Sequence, residues 1–218
     1  MFTNKVCLFV VLGAMCRFWQ GYTISYYAYS YFTEFHHDDQ FSILNAMSVL
    51  VGGFGSNLIA GQISDRFEAK NNRIKPYLMV LMSGCGVITA SLCFLFQFSF
   101  YFSMTMLFLL YLLAEGWMSP AVSMIQVSID VRYKGVAMGV FLFATSLTGT
   151  AATLVVGVMD TKYYVKEQIG KGKVIWLNTA LPCVLAMVFF YISGIYYDRF
   201  RRNLAKEVEE VQEKASQF

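Results

Sequence analysis

Six long runs of apolar residues dominate this sequence, and each is long enough to cross a lipid bilayer as a helix. At 1.5 Å per residue, about 20 apolar residues span the roughly 30 Å of hydrocarbon. The runs lack the alternating polarity of barrel strands. We therefore predict an all-α membrane protein with about six transmembrane helices, over residues 6–32, 42–64, 76–96, 100–129, 135–159 and 174–197.

Composition excludes an ordinary soluble domain. Hydrophobic residues make up 57% of the chain and charged residues only 14%, whereas soluble domains carry about 25% charged residues. A soluble domain of 218 residues could not cover so much apolar surface, so lipid is the better solvent. We divide the chain into a six-helix transmembrane half-domain, residues 1–197, and an amphipathic tail, residues 198–218, whose basic residues suit a solvated or interfacial helix.

The distribution of Lys and Arg predicts the orientation in the membrane. Alternate loops fall on opposite sides, and one side holds twelve cations while the other holds four. The cation-rich side is expected to be cytoplasmic, which places both termini there. The cations on that side are Lys5, Arg66, Lys70, Arg73, Lys75, Arg132, Lys134, Arg199, Arg201, Arg202, Lys206 and Lys214; those on the other are Lys162, Lys166, Lys171 and Lys173.

No pattern in the sequence indicates an enzyme. All five cysteines lie in the apolar runs, where they suit packing. His36 and His37 are adjacent in an acidic loop, which indicates a solvated loop or, as the alternative, a pH-sensitive outer rim. We find no nucleophile elbow, phosphate-binding loop or pair of catalytic carboxylates. We expect no catalytic residue, metal site, cofactor or nucleic-acid partner.

Two charged residues inside the apolar runs carry more information. Arg17 lies in the first run and Glu115 in the fourth, at similar depth. A charged side chain at mid-membrane costs about 2.5–3.5 kcal/mol or more, so neither is expected to face lipid. The two could form a structural ion pair, or they could lie on a pathway for a solute or a proton.

The neighbours of these charges favour a pathway. Helical spacing places amides and tyrosines on the same faces as Arg17 and Glu115, although each of these residues alone could equally serve packing. Pro120 and Pro182 lie inside predicted helices and should kink them, and Pro120 does so close to Glu115. The candidate pathway residues are Arg17, Gln20, Tyr27, Tyr31, Glu115 and Gln126.

Small residues mark the second and fifth helices. At spacings of about four they allow close approach of helix backbones, either in static packing or in sliding contact between moving bundles. Buried charge on helices one and four, and small residues on two and five, also indicate a three-plus-three inverted repeat. The candidate interface glycines are Gly52, Gly55, Gly135, Gly139 and Gly149.

Two stretches resemble the major facilitator superfamily. In GQISDRF, Gly61, Asp65 and Arg66 resemble its cytoplasmic loop motif, with Arg73 or Lys75 as the trailing cation. The stretch AEGWMSPAVSMIQVSIDVRYKGVAMG is similar to the fourth and fifth helices of the C-terminal half of Spinster-like and organic-solute members.

The resemblance implies a mechanism. The loop motif would lock a cytoplasmic gate, with Asp65 paired to Arg132 or Lys134 or capping a helix end; a simple topology anchor is the alternative. Helices one and four would line a cavity, two and five would meet a partner half, and three and six would support them. The implied function is secondary transport of a small organic solute, with Glu115 as a proton or cation site and Arg17 as partner of an anionic group.

The number of helices departs from the family pattern. Family members have about twelve helices in two halves, with the solute between them. We therefore expect this chain to be a fragment, or a half that pairs with its own copy or with another chain. The alternative function is a membrane scaffold or receptor that keeps the fold without transporting.

Overall fold

The computed structural model describes residues 4–32, 38–68, 71–96, 98–163 and 168–216. Six helices in these ranges are long and apolar enough to cross a membrane, and the same ranges contain no strand. The predicted all-α membrane fold is therefore confirmed. The predicted loop with His36 and His37, and the cations Lys70 and Lys166, lie outside the described residues.

The helices follow one another with short connections. In chain order the elements are α1 (Lys5–Phe32), α2 (Asp38–Met47), a π-helical segment (Ser48–Phe54), α3 (Gly55–Glu68), α4 (Ile74–Phe94), α5 (Phe100–Ala114), a 3-10 turn (Glu115–Trp117), α6 (Met118–Ser128), a second 3-10 turn (Val131–Tyr133), α7 (Lys134–Tyr163) and α8 (Gln168–Ser216). Span 1 is α1, span 2 is α2 to α3, span 3 is α4, span 4 is α5 to α6, span 5 is α7 and span 6 is α8.

Spans 2 and 4 are interrupted near their middles. In span 2 the π-helical segment brings Gly52 against α5, where an added Cβ would lie 3.0 Å from Cβ of Tyr111. In span 4 the 3-10 turn precedes Pro120, whose ring disfavours a regular α-helical turn on its N-terminal side. The predicted loosening near Glu115 thus takes the form of a break in the helix.

The packing places spans 1, 3, 4 and 6 at the centre. α1 packs along α7 and α8, α4 packs along α5 and α8, and α5 packs on the π-helical segment. Two apolar cores result: one around Val10, Met79 and Phe190 and one around Phe94 and Leu107. The space between spans 1, 2 and 4 lies beside these cores.

Span 6 continues far beyond the apolar run. α8 is helical from Gln168 to Ser216, through Pro182 and without a break at the proposed boundary at residue 198. Residues 203–210 are exposed, including the apolar Leu204 and Val208. At 1.5 Å per residue a helix of 49 residues is about 70 Å long, so much of its C-terminal part must extend past the hydrocarbon.

Candidate functional site

The two charges inside the membrane span meet in the structure. Nη2 of Arg17, on α1, lies 3.4 Å from Oε1 of Glu115, the first residue of the 3-10 turn in span 4. The same nitrogen donates to the carbonyl oxygen of Ala114 at 2.6 Å, and Nη1 donates to Sγ of Cys183 at 2.9 Å. Ala114 ends α5, and the last carbonyls of a helix have no intrahelical donor. The break in span 4 therefore supplies an acceptor for Arg17.

Gln20 joins this pair, and the group of three is called the Arg17 cluster (Arg17, Gln20 and Glu115). Nε2 of Gln20 donates to Oε1 of Glu115 at 3.4 Å. Oε1 of Gln20 and Nε of Arg17 are buried and have no hydrogen-bond partner among the described residues. Buried polar atoms are normally satisfied by protein, water or ligand, so this cluster has unused hydrogen-bonding capacity.

A cavity of about 480 Å³ adjoins the Arg17 cluster. Spans 1, 2 and 4 form its walls. Apart from the cluster itself, Ser25 and the amide of Asn57, its lining consists of glycines, aliphatic residues and five aromatic residues. Arg17 is only 1% exposed, whereas the side chain of Glu115 is 24% exposed. The aromatic residues are Phe18, Tyr22, Phe54, Tyr111 and Trp117.

Three of the predicted pathway residues lie elsewhere. The hydroxyl of Tyr27 donates to the carbonyl oxygen of Thr153 at 2.8 Å, which joins α1 to α7. Tyr31 is buried, and its hydroxyl donates to the carbonyl oxygen of Cys93 at 3.1 Å. Gln126 is exposed near the end of α6. None of the three lines this cavity, and the two tyrosines bind backbone carbonyls of α7 and α4 instead.

Sequence reasoning missed Phe54 and Asn57 on span 2. This span was assigned to packing because of its small residues, although Asn57 is an amide in the middle of an apolar run. That amide is the signal that could have added span 2 to the cavity walls.

The loop motif forms a different ion pair from the one predicted. Asp65 pairs with Nζ of Lys75 at 3.4 Å, not with Arg132 or Lys134. Lys75 lies in the first turn of α4, on the same face as the buried Met79, and therefore points into the bundle. Arg132 is exposed on its 3-10 turn, where its backbone N–H donates to the side chain of Asp130.

Lys75 is also the centre of a second buried group, the Glu68 cluster (Glu68, Lys75, Ser123 and Tyr197). Nζ of Lys75 donates to Oε2 of Glu68 at 2.6 Å and to Oγ of Ser123 at 2.7 Å. The hydroxyl of Tyr197 donates to Oε1 of Glu68 at 2.5 Å. These bonds tie spans 2, 3, 4 and 6 together. Lys75 lies one turn before Met79 on the same face of α4, but the sequence does not show that this face is buried.

The remaining gate residues lie around this cluster. Arg73 donates to Oδ2 of Asp198 from Nε at 3.0 Å and from Nη2 at 2.7 Å. These hydrogen bonds raise the pKa of Arg73, so its guanidinium stays charged. Gly61 packs against Ser119 of span 4, since an added Cβ would lie 2.7 Å from its Oγ. Arg66 and Lys134 lie at the surface or partly so, and neither forms an ion pair with a described residue.

The interface glycines fall into two groups. Gly52 packs against span 4, and Gly149 packs against the ring of Tyr22 on span 1. Gly55, Gly135 and Gly139 have open space where a Cβ would project, within the part of the chain that the structure describes.

Comparison with known proteins agrees with this arrangement. The family model described as Major Facilitator Superfamily matches residues 1–153, which include the Arg17 cluster and spans 1 to 4. Neither a curated protein nor a solved structure matches the sequence. Because the matched part is well over half of the chain, and six apolar spans accompany it, this chain is a multi-pass membrane protein that belongs to the Major Facilitator Superfamily.

Proposed function

We propose that this chain moves a small organic solute across the membrane by alternating access, as one half of a secondary active transporter. The observation that carries the proposal is the Arg17 cluster in the wall of the cavity. A buried charge pair that served only packing would be enclosed on every side. Here Glu115 reaches the cavity, and Gln20 keeps a hydrogen-bond acceptor unused. Polar groups inside a membrane span commonly mark solute or ion pathways.

We propose a second half-domain, from a second copy or from another chain, as the opposite wall of the cavity. Gly55, Gly135 and Gly139 on spans 2 and 5 have open space for such a contact. The neighbours of each span support a three-plus-three inverted repeat. Exchanging spans 1, 2 and 3 for spans 4, 5 and 6 converts the contacts of span 1 with spans 5 and 6 into those of span 4 with spans 2 and 3.

Glu115 is the proposed site for a coupling proton or a cationic group, because it is the charged member of the cluster that the cavity exposes. Arg17 is enclosed and acts as its fixed counter-charge. The cation-rich loops support cytoplasmic termini. In that orientation Gly61, Asp65, Arg66, Arg73, Arg132 and Lys134 lie at the cytoplasmic ends of the spans, where the proposed gate would close. The stretch AEGWMSP supports, as a finer assignment, the C-terminal half of a Spinster-like or organic-solute member.

Flux into liposomes tests the proposal. Purified protein in proteoliposomes is offered a panel of radiolabelled amines, carboxylates, sugars and amino acids. We expect saturable uptake of at least one solute, reduced about tenfold or more in Glu115→Gln. The matched control, Glu207→Gln, removes an exposed carboxylate from the C-terminal part of α8 and should keep full uptake.

The alternative function gives a different result. A scaffold or receptor that keeps the fold would show no uptake above that of empty liposomes, although the protein is folded. The size of the purified protein in mild detergent, measured in parallel, shows whether two half-domains are paired.

A further inference from the structure

We infer that the solute of this cavity is an amphiphilic organic cation, a protonated amine whose ammonium group binds Glu115. The inference rests on the proposed transport function, because it names the substrate class of the same cavity. Three features of the cavity carry it: the sign of the exposed charge, the kind of unused hydrogen-bonding atoms and the apolar lining.

The exposed charge is negative. Arg17 and Glu115 neutralise each other overall, but they are not equally accessible. Both terminal nitrogens of Arg17 are bound to protein acceptors, and its side chain is enclosed. The carboxylate of Glu115 remains partly exposed. A ligand in the cavity therefore meets a carboxylate first, and the guanidinium lies behind it.

The unused atoms nearest the ligand are acceptors. Both hydrogen bonds to Glu115 from the described residues end on Oε1, which leaves Oε2 without a donor. Oε1 of Gln20 is a second unpartnered acceptor, but its side chain is fully buried, so the acceptor within reach of a ligand is Oε2 of Glu115. A ligand that donates N–H groups satisfies that acceptor. The unpartnered Nε of Arg17 is a donor, and a carboxylate ligand would have to displace Glu115 to use it.

The rest of the lining suits an apolar body. Phe18, Tyr22 and Phe54 line the cavity, and Trp117 lies with its ring 5.8 Å from Cζ of Arg17. The faces of aromatic rings attract cations, most strongly when water is excluded. An acid with such rings around it favours an amine over an anion of the same shape.

Three probes with one apolar body and different charges test the inference. They are phenylpropylamine, a cation at neutral pH, phenylpropanol, which is neutral, and phenylbutyrate, an anion; all three carry a phenylpropyl group. Calorimetric titration into purified protein, with protein-free micelles as the blank, gives the three affinities. The alcohol measures binding by the apolar body alone. We expect the amine to bind about tenfold or more tightly than the alcohol, and the acid to bind no better than the alcohol.

Substitutions test whether the Arg17 cluster causes the preference for the amine over the alcohol. In Glu115→Gln the amine should lose its advantage of about tenfold over the alcohol, while the affinity for the alcohol stays. Glu207→Gln, an exposed carboxylate far along α8, should bind as the unmodified protein does. The double variant Arg17→Gln with Glu115→Gln leaves no unpaired buried charge, so it tests the same loss if the single variant does not fold.

Several outcomes overturn the inference. These are equal or tighter binding of phenylbutyrate, an amine preference that survives in Glu115→Gln or in the double variant, and no binding of any probe. Failure here is distinguishable from failure of transport. Uptake of an anion or a sugar with no amine preference would contradict the proposed substrate class but support the transport function. An amine preference without uptake in liposomes would support the cation site but contradict the transport function.

Discussion

Among the described residues, two charge clusters lie between the helices, and they are built differently. In the Glu68 cluster the hydrogen bonds are 2.5–2.7 Å long and join four spans. In the Arg17 cluster the contacts to Glu115 are 3.4 Å long, and two buried polar atoms have no partner among the described residues. Both clusters contain an acid and a base enclosed by apolar helices.

The difference indicates that the two clusters serve different purposes, although both contain an acid and a base. Charged groups removed from water stabilise a fold only when their geometry is good and their remaining hydrogen bonds are satisfied. The Glu68 cluster meets that condition and holds the ends of spans 2, 3, 4 and 6 together. The Arg17 cluster does not meet it, and its acid faces a cavity. We infer that the first cluster contributes mainly to stability and the second mainly to ligand binding.

The largest expected effect is on the Glu68 cluster. Lys75→Met removes the cation that pairs with both Glu68 and Asp65. Glu68 would then keep only the more distant Arg201, whose Nη2 lies 4.0 Å from Oε1. Because a partly buried acid loses its near cation, we expect a loss of about 3 kcal/mol in the free energy of unfolding. Thermal unfolding in detergent, followed by loss of the monodisperse peak in size-exclusion chromatography, measures it.

A control variant and a double variant help to interpret the result for Lys75→Met. Lys206→Met removes an exposed cation from α8 and should leave the melting temperature unchanged. The double variant of Glu68→Gln and Lys75→Met removes both charges and should recover part of the loss. A wild-type melting temperature for Lys75→Met would contradict the stabilising role of the cluster.

A smaller effect is expected at the turn that carries Glu115. A Cβ on Gly116 would lie 2.6 Å from the carbonyl oxygen of Ser56 and 2.8 Å from Cβ of Ala60. Gly116→Ala should therefore push the 3-10 turn away from span 2 and lower the free energy of unfolding by about 1–3 kcal/mol. Gly139→Ala, where the structure leaves open space, is the matched control. Equal melting temperatures for the two alanine variants would argue against close packing at this turn.

The six spans and the meeting of Arg17 with Glu115 could be predicted from the sequence. The apolar runs predicted the six spans, because a bilayer requires helices of a fixed length. The cost of an isolated charge in lipid led us to expect that Arg17 and Glu115 could pair, and the structure places them together. Both results rest on rules that depend on a residue and its depth, without knowledge of its neighbours.

Predicting the Glu68 cluster required knowledge of how the spans pack. Lys75 lies one residue inside α4, where a sequence reading cannot distinguish a cation that reaches solvent from one that turns inward. Asp65 was expected to pair with Arg132 or Lys134 or to cap a helix end, whereas it pairs with Lys75 at the start of α4. Tyr31 has the right helical phase for the pathway, yet its hydroxyl binds the carbonyl oxygen of Cys93 on α4. Helical phase gives the direction of a side chain around its own helix. It does not show which neighbouring span lies beside that residue.

The third effect, smaller again, is on the Arg17 cluster itself. Glu115→Gln keeps the shape of the side chain and an oxygen that can accept from Arg17. Glu115→Gln leaves the enclosed Arg17 without its charged partner, but that contact is 3.4 Å long and Arg17 retains Ala114 and Cys183 as acceptors. We therefore expect a loss of about 1–2 kcal/mol in the free energy of unfolding. The measurement is the same thermal unfolding in the absence of ligand. A loss as large as that of Lys75→Met would mean that both clusters serve stability, and it would remove the contrast.

The smallest effect is expected beside the Glu68 cluster, at the ion pair of Arg73 with Asp198. Asp198 is buried, but Arg73 is 45% exposed, and Asp198 keeps a second cation in Arg202, whose Nη2 lies 3.1 Å from Oδ2. Ion pairs with a solvent-exposed partner are weak and are screened by salt. Arg73→Gln should therefore lower the melting temperature slightly at low ionic strength and not at all at high ionic strength. The melting temperatures of Arg73→Gln and the unmodified protein, compared across a salt series, measure the difference. A loss that persists in high salt would place Arg73 inside the buried network and extend the stabilising cluster to the start of α4.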